Sequence, residues 1–224
     1  AIITHAHADH ARYGHDEVIA TKQTIEIMKI RYGENCAKKY TVLRYGQKLQ
    51  IKDYQITLYP AGHILGSAQV LIEKNKKRLV ITGDYKVGRD DTCKNFKLIK
   101  CDTLITEATF GLPIFQHPDP KEEIKKLINS VKKNKSSCHI VGAYALGKAQ
   151  RVMNLLRQNN YKDKIYIHGS LDKLCNYYKS QKIDLGLFEK VVSKDKSFYE
   201  GKIIIAPPSA LKDRWSRRFP DPII

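Results

Sequence analysis

The spacing of apolar positions changes character near residue 115. Before it, short alternating or continuous apolar runs stand between Gly, Pro, Asn and Lys-rich breaks, a period that suits strands. Strands are expected over 17–20, 40–43, 48–51, 54–59, 69–72 and 78–82, with a turn at 74–77. Ala1-Ile2-Ile3 reads as the end of a buried strand, and 103–106 as another buried strand ending at Glu107. One helix interrupts them: Thr21 offers an N-cap before Ile25, Ile27, Met28 and Ile30. After residue 118 strand and helix alternate. Asp119-Pro120 caps a helix whose apolar face is Ile124, Leu127, Ile128 and Val131. Strand 139–142 precedes a helix carrying Ala149, Val152, Met153, Leu155 and Leu156, and strand 165–167 precedes one carrying Leu171, Leu174 and Tyr178. Strand 202–206 runs into a Pro207-Pro208-Ser209 loop. Such alternation predicts an α/β half with a parallel sheet. The loop 111–118, with Pro113 and Pro118, is the candidate boundary between domains 1–115 and 116–224.

Composition narrows the class. The 224 residues are 42% hydrophobic and 28% charged, enough for one core or a core with an inserted subdomain. No run nears the roughly 20 apolar residues that span a bilayer. Five scattered cysteines, none in a Cys-x-x-Cys pair, suit reduced thiols, and without a basic-then-apolar leader a cytoplasmic location is expected. The chain opens without Met inside an expected core strand, as a fragment or processed chain does. Lys+Arg at 40 against Asp+Glu at 23 leave a net charge of +17, a field that favours a polyanion, nucleic acid or an anionic surface.

The chemistry is concentrated in Thr4-His5-Ala6-His7-Ala8-Asp9-His10. Imidazole and carboxylate are ligands zinc takes, and a loop at a strand end lets His5 and His7 point one way. Asp9 and His10, entering a helical turn, can face a second ion. Other strands end in Gly62-His63, Gly83-Asp84 and Glu107. If these strands share one sheet and one edge, His5, His7 and His63 hold one ion, Asp9 and His10 a second, and Asp84 bridges. Two ions about 3.5–4 Å apart clamp a phosphodiester displacement and generate hydroxide at neutral pH, with Asp9 accepting a hydrogen bond from the nucleophile.

His-x-His-x-Asp-His, Gly-His-x-x-Gly-Ser and Thr-Gly-Asp, in that order, resemble the metallo-β-lactamase superfamily. Thr106-Glu107-Ala108-Thr109-Phe110-Gly111 and Ala145-Leu146-Gly147-Lys148-Ala149-Gln150 resemble its β-CASP nuclease branch. Ile165-Tyr166-Ile167-His168-Gly169, Ala206-Pro207-Pro208-Ser209-Ala210 and Arg214-Trp215-Ser216-Arg217-Arg218-Phe219 look most like the bacterial ligase-associated DNA exonucleases. The resemblance implies a partial αββα sandwich over 1–115 and an inserted, partial β-CASP parallel α/β domain over 116–224. It implies zinc at His5, His7 and His63, a second zinc at Asp9 and His10, and a bridging Asp84. Glu107 is implied to be catalytic without being a ligand, orienting a later histidine that protonates the leaving oxygen. That histidine and a last ligand of the second zinc have no match among His117, His139 and His168, so an incomplete second site and weak activity are expected of these residues alone.

Lys148, Arg151, Ser209, Arg214, Arg217 and Arg218 are the candidate nucleic-acid contacts, with the helix start at Gly147 favouring a phosphate. Trp215 and Phe219 suit base stacking or core anchoring equally. DNA end-trimming beside a ligase or helicase repair system is the leading function. An RNA-processing nuclease of the same branch and a metal- and nucleic-acid-binding module without turnover remain open; a membrane role is not expected.

Overall fold

A computed structural model describes residues 1–192 and 195–224. It divides into two compact units, Ala1–Phe115 and Gln116–Ile224.

In the first unit, β1 (His15–Ala20), α1 (Lys22–Tyr32) and β2 (Ala37–Val42) form a right-sized crossover, and β1 and β2 pair in parallel. The first three residues extend this sheet. Ile2 makes a single bridge to Ile19, with Ile19 N–H donating to Ala1 O and Ile3 N–H to Ile19 O. The second sheet has the order β3 (Lys48–Ile51), β4 (Tyr54–Pro60), β5 (Ala68–Lys74), β6 (Lys77–Ile81), β7 (Thr103–Ile105). It is antiparallel as far as β6, and β7 runs parallel to β6. Asn75 and Lys76 close the β5–β6 hairpin, both at positive φ, as a two-residue turn with the strands' own twist requires. Because β4, β6 and β7 run the same way, their carboxyl ends share one edge.

Alternation places Ile56 and Leu58 of β4 and Val70 of β5 on the face that meets Ile19 and Leu43, with Ile2, Tyr45 and Ile81 packed around them. The two sheets are therefore joined by one apolar core. Thr21 locks α1 to this arrangement. Its Oγ1 accepts Thr24 N–H at 3.2 Å and donates to Gly66 O at 2.7 Å, which also accepts Thr24 Oγ1 at 3.0 Å. Gly66 lies at φ +84°, and a Cβ there would stand 2.7 Å from Thr24 N, so only glycine permits the approach. One expectation fails: strand 103–106 is not buried. It forms the outer strand β7, where Leu104 and Ile105 are about half exposed because only β6 flanks it.

The second unit carries α2 (Pro120–Lys133), β8 (His139–Gly142), α3 (Lys148–Gln158), β9 (Ile165–Ile167), α4 (Asp172–Ser180), β10 (Phe188–Lys190), β11 (Ile203–Ala206) and α5 (Pro208–Leu211). The sheet order is β10-β9-β11-β8, and every pair is parallel. One face, with Cys138, Ile140, Tyr166, Ile204 and Ala206, packs on Tyr199, Ala210 and Phe219. Ile165, Ile167, Ile203 and Ile205 on the opposite face are fully buried too, as a parallel sheet covered on both sides demands. Strand β10 escapes a sequence reading because Phe188-Glu189-Lys190 is short and two-thirds charged; its backbone ladder to β9 makes it a strand. The expected Pro207-Pro208-Ser209 loop instead starts α5, with proline in its first turn, where no N–H is needed.

Removing the Thr21 cap tests how α1 is held. Thr21→Ala should lower unfolding free energy by about 1 kcal/mol or more, and Thr21→Ser by much less, since serine keeps the capping oxygen. Denaturant midpoints of the two variants measure the difference.

Candidate metal centre

The His5–His10 loop leaves the bridge at Ile2 and is pinned from three directions. Ala68 N–H donates to Thr4 O at 2.7 Å, tying the loop to β5. His10 and Ala11 N–H both donate to His7 O, making one helical turn. Arg31, in the last turn of α1, donates from Nη1 to Ala6 O at 2.8 Å, between the two leading histidines. His63 follows β4, in a loop whose His63 and Ile64 N–H groups both donate to Ser67 Oγ, at 3.1 and 3.2 Å. Asp84 follows β6 and Gly83. A Cβ on Gly83 would stand 2.7 Å from the Thr4 side chain, so glycine lets the Asp84 segment close against the histidine loop.

These segments converge. One ligand atom each from His5, His7, His63 and Asp84 lies within 4.8 Å of all the others. His7 Nδ1 is 3.1 Å from both His5 Nε2 and His63 Nε2. A ring nitrogen carries one proton or one lone pair, so it cannot form two well-directed hydrogen bonds of this kind at once. Three imidazole nitrogens and a carboxylate aimed at a common point are instead a donor set that fits a tetrahedral cation such as zinc, with nitrogen ligands at about 2.0–2.1 Å. Asp84 faces two ways. Its Oδ2 is 3.7 Å from His5 Nε2 and 3.6 Å from His63 Nε2, while Oδ1 is 3.3 Å from His10 Nε2. His10 Nε2 is also 3.5 Å from Asp9 Oδ2, and the Asp9 carboxylate is largely exposed.

Electrostatics favours neutral ligands. Burial, then the neighbouring His7, His63 and His10, pushes His5 down to about 2. Burial and His7 push His63 down to about 4, against the opposing pull of Asp84 and Glu107. Both rings therefore present lone pairs at neutral pH. Glu107, half-buried beyond β7, lies within electrostatic reach of His63 and caps the Thr109 N–H at 2.7 Å.

The expectation of a single sheet needs correction. His63, Asp84 and Glu107 leave one edge of the five-stranded sheet, but His5 to His10 leave the other sheet. The packed core between the sheets unites them.

The candidate nucleic-acid residues all lie in the second unit. Lys148 is exposed at the start of α3, with its Nζ 6.0 Å over the ring of exposed Tyr144; Arg151 is half-buried one turn on. Ser209 is exposed on α5. Arg214, Arg217 and Arg218 are exposed on the 3-10 turn Arg214–Arg218, and among the described residues no carboxylate pairs with them. Lys148 follows β8 and Ser209 follows β11, parallel strands that deliver both beyond the same sheet edge; the 214–218 turn packs on one face of the sheet through Trp215, before the chain returns to Cys138 at the amino end of β8. Tyr144 was missed in the sequence, although an aromatic residue just ahead of Leu146-Gly147-Lys148 was an available signal. Phe219 is buried and anchors the core, so the stacking reading fails for it; Trp215 is partly buried against Phe219, His168 and Arg218. His139 is a buried strand residue with Nε2 2.8 Å from Ser130 Oγ.

The depressed histidines set a pH dependence for metal-free protein. A group whose folded pKa is lowered takes up its proton mainly on unfolding, so stability falls as pH drops below the unfolded value near 6.5. With chelator present, His5 alone should cost about 2 kcal/mol between pH 6.5 and 5. Urea midpoints at the two pH values measure this, and His5→Ala should remove its share of the dependence while leaving that of His63.

No family model matches the chain. It is 28% identical over 232 aligned positions to a probable DNA ligase of Opitutus terrae, covering 98% of this chain and 21% of that protein. It is 29% identical over 207 positions to an RNase J-like protein of Methanocaldococcus jannaschii, covering 80% and 49%. It is 32% identical over 154 positions to Integrator complex subunit 11 of Danio rerio, covering 65% and 25%. The chain thus spans about half or less of the length of these relatives. A crystal structure of a protein of unknown function from Enterococcus faecalis shares the fold, with a TM-score of 0.57 at 13% identity over 92% of this chain and 61% of that one. Together with the ordered His-x-His-x-Asp-His, Gly-His and Gly-Asp segments, these likenesses carry the conclusion that the chain belongs to the β-CASP nuclease branch of the metallo-β-lactamase superfamily.

Proposed function

We propose that the protein is a zinc-dependent phosphodiesterase acting on nucleic acid, with DNA ends as its substrate. The observation that carries this reading is the convergence of His5, His7, His63 and Asp84 on one point. Residues 1–115 form the metallo-β-lactamase unit that holds metal, and 116–224 the β-CASP unit that tracks the phosphate backbone. Zinc in such a site supplies a Lewis acid for the phosphoryl group and a nucleophile at neutral pH.

The chain's own residues have distinct tasks. His5, His7 and His63 would hold the first ion, with His5 and His63 kept neutral by burial and by neighbouring imidazoles. Asp84 presents its second oxygen to His10, and Asp9, His10 and Asp84 would hold a second ion. Asp9, exposed beside His10, would also accept a hydrogen bond from the attacking nucleophile and so orient it. Glu107, at the same edge, would orient the proton-donating histidine that the resemblance implies and that His117, His139 and His168 do not match. Lys148, Arg151, Ser209, Arg214, Arg217 and Arg218 bind phosphates, in keeping with the net charge of +17.

DNA is favoured because the probable DNA ligase of Opitutus terrae matches 98% of this chain, which also suggests work beside a ligase in a repair system. RNA is the second reading, favoured by the RNase J-like and Integrator relatives. No described helix is long and apolar enough to cross a membrane, and a cytoplasmic location fits reduced thiols.

Labelled single-stranded DNA and RNA of one sequence, incubated with protein and zinc, test the reading. Cleavage should stop on chelation and return with zinc. His63→Ala should lose metal and activity together. Asp9→Asn should lower kcat by about 10²–10⁴-fold, with the ion at His5, His7 and His63 retained and the second ion weakened. No cleavage of either polymer by zinc-loaded protein would overturn the enzyme reading, and faster RNA cleavage would reverse the substrate preference. Binding should weaken steeply with salt, and Arg217→Ala should reduce the slope of log K against log salt by about 1.

A further inference from the structure

We propose that Tyr13, backed by Tyr32, is a nucleobase-stacking platform at the rim of the metal centre. The proposal rests on the nuclease reading and adds to it a residue that sets where the substrate lies.

Tyr13 follows His10 by three residues, so their Cα atoms are within about 11 Å of each other. A second chain of contacts reaches the same place. Arg31, whose Nη1 is held by Ala6 O between His5 and His7, has its Cζ 5.5 Å from the centre of the Tyr32 ring. The Tyr32 ring is in turn 5.8 Å from that of Tyr13, tilted by 48°. The pair is thus tied mechanically to the loop carrying the metal ligands.

The ring of Tyr13 is supported yet open. It is 72% exposed, more than any other aromatic side chain among the described exposed residues. The backbone after it is fixed, since Gly14 N–H donates to Cys36 O at 2.9 Å. Isolated exposed aromatics are ordinary on protein surfaces and say little. An exposed ring leaning on a second ring, with a guanidinium beside that ring and the metal ligands on the same loop, has the make-up of single-strand binding sites: stacking surface next to positive charge. Tyrosine suits the task because only two side-chain torsions need to be ordered when a base lands on it. The ligand class is a single-stranded polynucleotide. Every base has a π-face, so the platform places a nucleotide beside the metal centre without selecting its identity.

The test is binding of a fluorescein-labelled single-stranded DNA to the whole protein in EDTA, where no cleavage occurs. Tyr13→Ala should weaken binding about fivefold to a hundredfold, whereas Tyr13→Phe and Tyr13→Trp should bind like wild type. In zinc, the same alanine variant should raise KM with metal content unchanged. Moving one abasic position along the oligonucleotide should erase the wild-type advantage at a single place, marking the stacked nucleotide. Equal binding by Tyr13→Ala and wild type, with zinc-dependent cleavage intact, would overturn the platform and spare the nuclease reading. Failure of wild type both to bind and to cleave would overturn both. Loss of binding in the phenylalanine variant would overturn stacking in favour of the hydroxyl.

Discussion

Three imidazole nitrogens and a carboxylate are held within 4.8 Å of one another, an arrangement that needs a rigid frame to resist relaxing into ordinary hydrogen bonds. His5 is fully buried among rings that disfavour its protonation, and His7 cannot satisfy both neighbours at 3.1 Å. Such a cluster is stable when its lone pairs share a cation and costly otherwise. Much of the local structure of residues 1–115 serves to keep it together.

The frame works through close backbone approaches. Gly66 lets its loop dock on the amino end of α1, where Thr21 and Thr24 grip its carbonyl. Gly62, at φ +73°, would place a Cβ 2.3 Å from Lys86 O, so the His63 loop lies directly against the segment after Asp84. Gly83 does the same against Thr4. Side chains then finish the positioning: Ser67 Oγ collects two N–H groups under His63, and Arg31 holds the carbonyl between His5 and His7. Disturbing any of these should weaken metal binding by about 10–100-fold, even where the substituted residue touches no metal.

The second unit has a different logic. A parallel sheet buried on both faces gathers its strand ends on one edge, and Lys148, His168 and Ser209 lie in the segments that leave β8, β9 and β11 there. Open α/β sheets commonly present ligand sites beyond the carboxyl ends of their strands. An arginine cluster that no described carboxylate neutralises is poised for an anion from outside.

The sequence alone determined the local elements and named the candidate ligands. Periodicity placed α1 with its Thr21 cap, the 48–51 and 54–59 strands, the Asp119-Pro120 start of α2 and the alternation after residue 118, because each depends on neighbours a few residues away. It also singled out His5, His7, His63 and Asp84 as candidate ligands, since clustered histidines and an aspartate at strand ends are a donor set that zinc takes. Only the tertiary structure decided what depends on distant partners. The ligands come from two sheets rather than one, and the core between Ile19, Leu58 and Val70 brings them together. Leu104 and Ile105 look like core residues by composition, but a strand with one neighbour leaves them exposed. Phe188-Glu189-Lys190 carries no apolar pattern and is a strand through the backbone ladder of Ile165–Ile167. Phe219 and Tyr13 are both aromatic residues beside arginines in the sequence. Packing buried Phe219 in the core of the second unit and left Tyr13 open to solvent next to the histidine loop.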